Sequence, residues 1–349
     1  MNDDARLIGD AARRVFRELG QPQSLKSPAD RDRLWNALNS AGLTRTWIAA
    51  DFNGSGASIA DGFAVLRIAG ESALSVPLAE TLLGGWLLLQ AQIPVPEAKL
   101  TVAPVDVRDQ IELTEAGTLV GSARLVPFAR ESAQFVVLAI RNRRSYVGLV
   151  EAGQIRISEH SNVAREPRDS ITLENVTPIA LAPISIGFDE LMLMGAVARA
   201  AEMAGALQTI LDLSVAYANE RIAFEKPIGK FQAIQHSLAR LAGETAAAIA
   251  AAGSAADAIG SASCFDCAVL LEAASAKIRV GEAATAGAAI AHQVHGAIGL
   301  SQEHALHHYT QRLWAWRDDF GSESHWAVRL GTLVANRGAD QLWPLLAAQ

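Results

Sequence analysis

The residues best suited to chemistry lie in the second half of the sequence, in three short segments. The first is Tyr217-Ala-Asn-Glu-Arg221-Ile-Ala-Phe224-Glu-Lys-Pro227-Ile-Gly-Lys-Phe231-Gln232-Ala-Ile-Gln235. A helix ending near Phe224, a turn through Pro227 and Gly229, and a new helix from Gln232 set Arg221 opposite Gln232 and Gln235. An arginine facing two amides suits an anionic phosphate beside a planar polar ring, although a plain helix hairpin carries the same pattern. The second segment, Gln293-Val-His-Gly296-Ala297-Ile-Gly299, stops a helix at glycines and leaves backbone amides open to a ligand. The third, Asp318-Asp319-Phe320-Gly321-Ser322-Glu323-Ser324, is a turn before a fresh helix, where Ser322 is a cap and free amides attract phosphate.

Other groupings point to less. Cys264-x-x-Cys267 has neither the second pair of a zinc site nor the βαβ setting of a redox motif, and two small buried thiols at i and i+3 of a helix account for it better. His304, His307 and His308 have helical spacing but no HExxH pattern, so a polar helix face is the simpler reading and no metal is expected. Gly54-x-Gly56 lies between helices and is a turn. No Walker A loop and no GxSxG elbow occurs, which disfavours P-loop hydrolysis and serine-esterase chemistry.

The elements that must position these segments follow from periodicity. Residues up to about Gln92 read as helices, with Asp30 as a start signal and Asp51-Phe-Asn-Gly-Ser-Gly56 as a loop. From about Ala98 to Leu181 the period is two, in short strands at Leu100, Ile111, Thr118, Gln134, Ser145, Gln154 and Ile171, as in a small antiparallel sandwich or barrel. From Phe188 onward the helices are long: Phe188–Ala223, Phe231–Ile259, Cys264–Ala297, Glu303–Phe320 and Ser322–Asn336. Their many alanines and glycines allow close axes, as in a bundle. The expected class is mostly α with a small central β domain, divided as 1–97, 98–185 and 186–349.

Composition bounds the rest. The 349 residues are 50% hydrophobic and 19% charged, with net charge −7, two cysteines and no basic block. That excludes disorder and disfavours nucleic-acid binding. The apolar runs are too short or too interrupted for a bilayer, Leu82–Leu89 included. The first twenty residues lack an apolar signal core and two cysteines build no secreted framework, so a cytoplasmic protein is expected.

Taken in order, the segments resemble the acyl-CoA dehydrogenase family of flavoproteins across nearly the whole chain. Arg221-x-x-Phe224-x-x-Pro227-Ile228-x-x-Phe231-Gln232 is similar to R-x-x-F-G-x-P-I-x-x-F-Q, with Glu225 for the glycine. Gln293-x-x-Gly296-Ala297-x-Gly299 is similar to Q-x-x-G-G-x-G, with Ala297 for the second glycine. Leu34-Trp-x-x-Leu38-x-x-x-Gly42 and Val76–Thr81 add to it. The resemblance implies a helical domain, a small β domain and a C-terminal four-helix bundle. It also implies FAD, an acyl-CoA thioester as substrate and an electron-transfer flavoprotein as acceptor. In the family a carboxylate removes the α-proton while FAD takes hydride from the β-carbon. By the same resemblance Arg221, Phe224 and Gln232 contact the flavin nucleotide, Gln293, Gly296 and Ala297 its adenine half across a dimer interface, and Ser322 and Ser324 the pyrophosphate.

The departures are as informative. The usual catalytic glutamate directly precedes the glycine matching Gly321, and Phe320 stands there. Some members place it directly after the arginine matching Arg221, and Ile222 stands there. Asp319 and Glu220 are the neighbouring carboxylates and the candidate catalytic bases, although one residue along a helix swings a side chain by roughly 100°. The family's T-E-P-x-A-G-S-D loop is shortened to Val102-Ala-Pro104-Val-Asp106, and its tryptophan is Leu125 or Val126. The chain is also short, like the small subunits of heteromeric bacterial acyl-CoA dehydrogenases, in which one subunit type supplies the base. The expectation is an acyl-CoA dehydrogenase subunit in a homo- or hetero-oligomer. The alternative is a structural or acyl-CoA-binding subunit without flavin.

Overall fold

A computed structural model describes residues 3–22, 25 and 27–347. Met1 and Asn2, part of the expected first domain and of the leader reading, lie outside the described residues. The chain divides into two compact units: residues 3–15, 27–65 and 75–195 form one, and residues 16–22, 25, 66–74 and 196–347 the other. The helices α1 (Asp3–Leu19), α2 (Pro28–Ser40), α3 (Ile59–Glu71) and α4 (Leu78–Gln90) come first. Two of these starts are reciprocal caps. Ser27 and Asp30 bond each other's backbone amides at α2, and Ser58 and Asp61 do so at α3.

The strands follow as β1 (Leu100–Ala103), β2 (Gln110–Leu113), β3 (Leu119–Pro127), β4 (Gln134–Arg141), β5 (Arg144–Glu151), β6 (Arg156–Ser158), β7 (Arg168–Val176) and β8 (Ala180–Ile184). They form one sheet in the order β6-β7-β3-β2-β4-β5-β8, with β1 also on β4. The expectation of a wholly antiparallel sheet is corrected: β1 and β2 both run parallel to β4. Strand β8 escaped the sequence reading because Pro183 weakens its pattern; the strand pairs only with β5, at an edge, where proline is tolerated. The apolar run in α4 is buried along nearly its whole length. A Cβ added at Gly84 would lie 3.1 Å from Val136 and 3.2 Å from Leu100, so that helix seats directly on β4 and β1. No helix of the described residues is long and apolar enough to cross a membrane.

The second unit holds most of α5 (Phe188–Glu220), then β9 (Ile222–Ala223), β10 (Lys226–Pro227), α6 (Gln232–Ser261), α7 (Cys267–His295), α8 (Leu306–Trp316), α9 (Glu323–Arg337) and α10 (Leu342–Ala347). Its core is mainly small and aliphatic, with Ala200, Ala204, Leu207, Ala248, Ala284 and Leu313 buried. Glycine sets the closest approaches. A Cβ on Gly205 would sit 1.9 Å from the Arg67 carbonyl oxygen, and one on Gly70 1.9 Å from that of Glu202.

Three helix boundaries differ from expectation for local reasons. Helix α5 stops at Glu220, because Phe224 and Glu225 take the left-handed conformation of a tight hairpin, with φ of 51° and 65°. Helix α7 starts at Cys267, since Asp266 accepts from the amides of Ala268 and Val269. Cys264 therefore lies in the preceding loop, exposed, and the two thiols do not share a helix. His304 precedes α8 and accepts from the Leu306 amide at 3.1 Å, so only His307 and His308 are helical.

Candidate functional site

The first two chemical segments meet at one end of the bundle. The Arg221 amide closes the last turn of α5 on the Tyr217 carbonyl at 2.9 Å, and the Arg221 carbonyl accepts from Ile228 at 2.9 Å. Between them the β9–β10 hairpin pushes Phe224 into solvent, 88% exposed, with its ring 6.1 Å from that of Phe231. Gln235 donates to the Gly229 carbonyl at 2.9 Å and so holds the turn that launches α6. One turn before Arg221, Tyr217 stacks on His295 at 4.6 Å, and His295 is the last residue of α7.

Helices α6 and α7 bring Gln232 to the same place. Ser254 bonds Glu272, Arg279 pairs with Glu244, and a Cβ on Gly287 would touch Leu241 at 3.2 Å. These contacts step in opposite directions along the two helices, so the start of α6 returns beside the end of α7. There Gly296 has φ of 63° and open space where a Cβ would point. Arg221, Phe224, Gln232, Gln293, Gly296 and Ala297 are all exposed. This end also gathers five of the chain's eight histidines between 292 and 308. His292 faces the Thr310 hydroxyl at 3.0 Å and His295 lies 4.7 Å from His304. Burial holds His292, His295 and His304 below the usual imidazole range and pushes His308 down to about 4. No group of three metal-ligating side chains occurs among the described residues.

The third segment is elsewhere. Asp319 is ion-paired with Arg199 at 2.9 Å, and Arg199 also bonds Glu202 at 2.6 Å. The Arg199 guanidinium lies 5.9 Å from the Trp316 ring and 5.8 Å from that of Phe320. Phe320 is 2% exposed with φ of 53°, and its carbonyl accepts from the Trp326 indole at 3.0 Å. Beneath this turn Lys277, 1% exposed, donates to the carbonyls of Trp316 and Arg317 at 3.1 and 2.6 Å. Burial pulls its ammonium down to about 8, against the opposing charges of Asp319 and Glu323. The Ser322 hydroxyl caps α9 by accepting from His325, Glu323 occupies the first turn and pairs with Arg317 at 2.7 Å, and Ser324 is exposed.

Helix geometry separates the two places. Arg199 and Glu220 are 21 residues apart on α5, about 30 Å along its axis. A Cβ on Gly281 would lie 2.4 Å from Glu323, and Gly281 is about 20 Å before His295 on α7. Asp319, Ser322 and Ser324 therefore do not join Glu220 and Arg221, nor does Phe320 meet Ile222, 55% exposed at the far end of α5. Arg199, Glu202, Lys277, Tyr217 and His295 were not expected. The legible signal for the first three was charge inside otherwise apolar, alanine-rich helices.

Residues 188–317 match the model for the acyl-CoA dehydrogenase C-terminal domain. Acyl-CoA dehydrogenase IpdE2 of Mycolicibacterium smegmatis is 25% identical over 321 residues, 89% of this chain and 93% of that protein. A chain of the ChsE4-ChsE5 complex from Mycobacterium tuberculosis superposes with a TM-score of 0.87 at 21% identity, covering 97% of this chain and 99% of that one. PigA with FAD and proline superposes at 0.82 with 17% identity, covering 97% and 99%. Residues 188–317 are thus similar to the acyl-CoA dehydrogenase C-terminal domain, and the chain as a whole has the fold of these solved structures.

Proposed function

We propose that this chain is a subunit of an FAD-dependent enzyme that dehydrogenates an acyl-CoA thioester between its α and β carbons, and that a partner chain supplies the proton-abstracting carboxylate. The observation that carries it is the pairing of an open, exposed two-segment end with a base position closed by Phe320. At the open end an arginine, an exposed aromatic ring and a glycine backbone with space above it suit a flat, anionic dinucleotide. Arg221 would hold phosphate charge, Phe224 and Gln232 would cover the ring system, and Gln293, Gly296 and Ala297 would meet the adenine half. FAD, when bound, accepts the two electrons taken from the acyl chain.

The family's base position cannot accept a proton here, because Phe320 has no titratable group. Asp319 holds Arg199 instead and is a positioning residue of the turn. Glu220 is in water at the far end of α5 and is not sheltered for proton abstraction. The Ser322 hydroxyl and the first-turn carboxylate of Glu323 already occupy the start of α9, which disfavours a pyrophosphate there. The ChsE4-ChsE5 structure is by its name a complex of two chains, which supports a heteromer. Its acceptor would be an electron-transfer flavoprotein, and its compartment the cytoplasm.

Co-expression with an acyl-CoA dehydrogenase chain encoded beside it tests the reading. A yellow complex with flavin absorption, whose turnover survives Glu220→Gln and Asp319→Asn, is expected. A colourless complex that takes up no FAD would leave the acyl-CoA-binding subunit as the function, and loss of turnover in Glu220→Gln would return the base to this chain.

A further inference from the structure

Three aromatic rings from different segments of the second unit meet at its open end. Tyr217 of α5 stacks on His295 at 4.6 Å, with 23° between the planes. His304, from the segment before α8, stands edge-on, 4.7 Å from His295 and 6.3 Å from Tyr217. Backbone ties two of these rings to the chemical segments. The Tyr217 carbonyl accepts from the Arg221 amide at 2.9 Å, so the last turn of α5 seats the arginine on the tyrosine. His295 runs directly into Gly296, and the glycine turn folds back over it: a Cβ on Gly299 would lie 2.9 Å from that of His295. Parting the Tyr217 and His295 rings therefore parts Arg221 from Gly296.

The hydrogen bonding fixes His295 as a neutral ring. Its Nδ1 donates to the Ala291 carbonyl at 2.9 Å, which leaves Nε2 bare, buried and without a hydrogen-bond partner among the described residues. The side chain is only 3% exposed, so a proton on Nε2 would bury a cation. The titratable groups that face it are the Tyr217 phenol of α5, His292 of its own helix and His304, none of them a carboxylate. Burial disfavours the cation most, the imidazoles of His304 and His292 add to that, and the carbonyls of Ala291 and Leu213 only partly offset them. Resting on the function proposed above, we propose that Tyr217 and His295 are positioning residues that hold Arg221 and Gly296 in register for the dinucleotide, and that they do so only while the imidazole is neutral. Acid opens the end and releases the cofactor from a chain that is still folded.

The test titrates FAD onto the co-expressed complex, read by flavin fluorescence from about pH 7.5 to about pH 5, with circular dichroism reporting that each protein stays folded. In the unmodified complex the Kd should rise at least about fivefold as the solution is acidified below the ordinary imidazole range, and recover on neutralisation. His295→Phe keeps a ring on Tyr217 but cannot titrate, so its Kd should match the unmodified value at neutral pH and stay within about twofold of it in acid. Tyr217→Ala should raise the Kd at least about tenfold at neutral pH, and Tyr217→Phe should leave it unchanged. An acid loss in His295→Phe as steep as in the unmodified complex overturns the proposal. So does a Tyr217→Ala Kd within about twofold of the unmodified value. Tighter FAD binding in acid, the result if an imidazolium met the phosphates, overturns it too. A complex that takes up no FAD at any pH fails the proposed function instead, and the ring contact is then read without flavin. The difference in the His295 Cε1 proton resonance between the unmodified protein and Tyr217→Leu reports the ring current of the stack. That difference should vanish as His295 titrates, and one that persists through the titration overturns the opening.

Discussion

Phe320 and Glu225 show how single residues depart from a family pattern and what each departure costs. Glu225 stands where the family motif has glycine and has φ of 65°, a conformation in which a Cβ is strained. Glu225→Gly should stabilise the protein by about 1 kcal/mol in thermal or urea denaturation. Phe320 is buried beside the Arg199 guanidinium, which pairs with Asp319 and Glu202, and Lys277 lies beneath the same turn. Lys277 gives that cluster a measurable signature. Its native pKa of about 8 lies below the ordinary lysine value, so between pH 8 and 10.5 the unfolded chain holds a proton that the native protein lacks. Stability must therefore rise across that window, by up to about 3 kcal/mol relative to Lys277→Met, as read from urea midpoints at matched pH.

Helix packing is decided by positions where nothing larger than hydrogen fits. A methyl on Gly205 would meet the Arg67 carbonyl oxygen at 1.9 Å, and backbone cannot move aside as a side chain can. Gly205→Ala should cost about 3 kcal/mol or more, whereas Gly243→Ala, on α6 with open space around it, should be neutral or slightly stabilising. The histidine-bearing end of α7 and α8 should fail in acid. His308 is held neutral down to about pH 4, so as pH falls below about 6.5 the unfolded chain takes up protons that the native protein refuses. Stability is full above that value and is lost progressively toward pH 4, and His308→Gln should flatten the fall in melting temperature.

At the scale of the whole molecule, three large apolar side chains of the second unit stand out by their exposure. Phe224, Leu300 and Ile222 are 88%, 69% and 55% exposed within the same unit. Single apolar side chains on a surface are ordinary, but here they flank the open glycine turn. Phe224→Ser should leave the melting temperature of the isolated chain within about 1 °C, since the ring buries little, while weakening flavin retention and association in sedimentation experiments. Loss of stability in the isolated chain would mean that the ring packs internally.

Much of this was legible in the residues alone. Period-two and period-3.6 patterns marked most strands and the long helices, because one buried face per element imposes them. The two-segment motif also read correctly as a helix end, a turn and a glycine stop, since Pro227, Gly296 and the polar residues act through local backbone chemistry. Distance along the chain said nothing about distance in space. Only the tertiary structure drew residues 217–232 and 293–297 together through the Tyr217–His295 stack and the antiparallel α6 and α7. It also set the 318–324 turn, matched to the same cofactor by motif alone, well away from them on α5 and α7. The sequence determined which groups exist and which local shapes they favour; packing between distant segments decided that Asp319 would hold a buried arginine, and that Phe320 would be buried at the same turn.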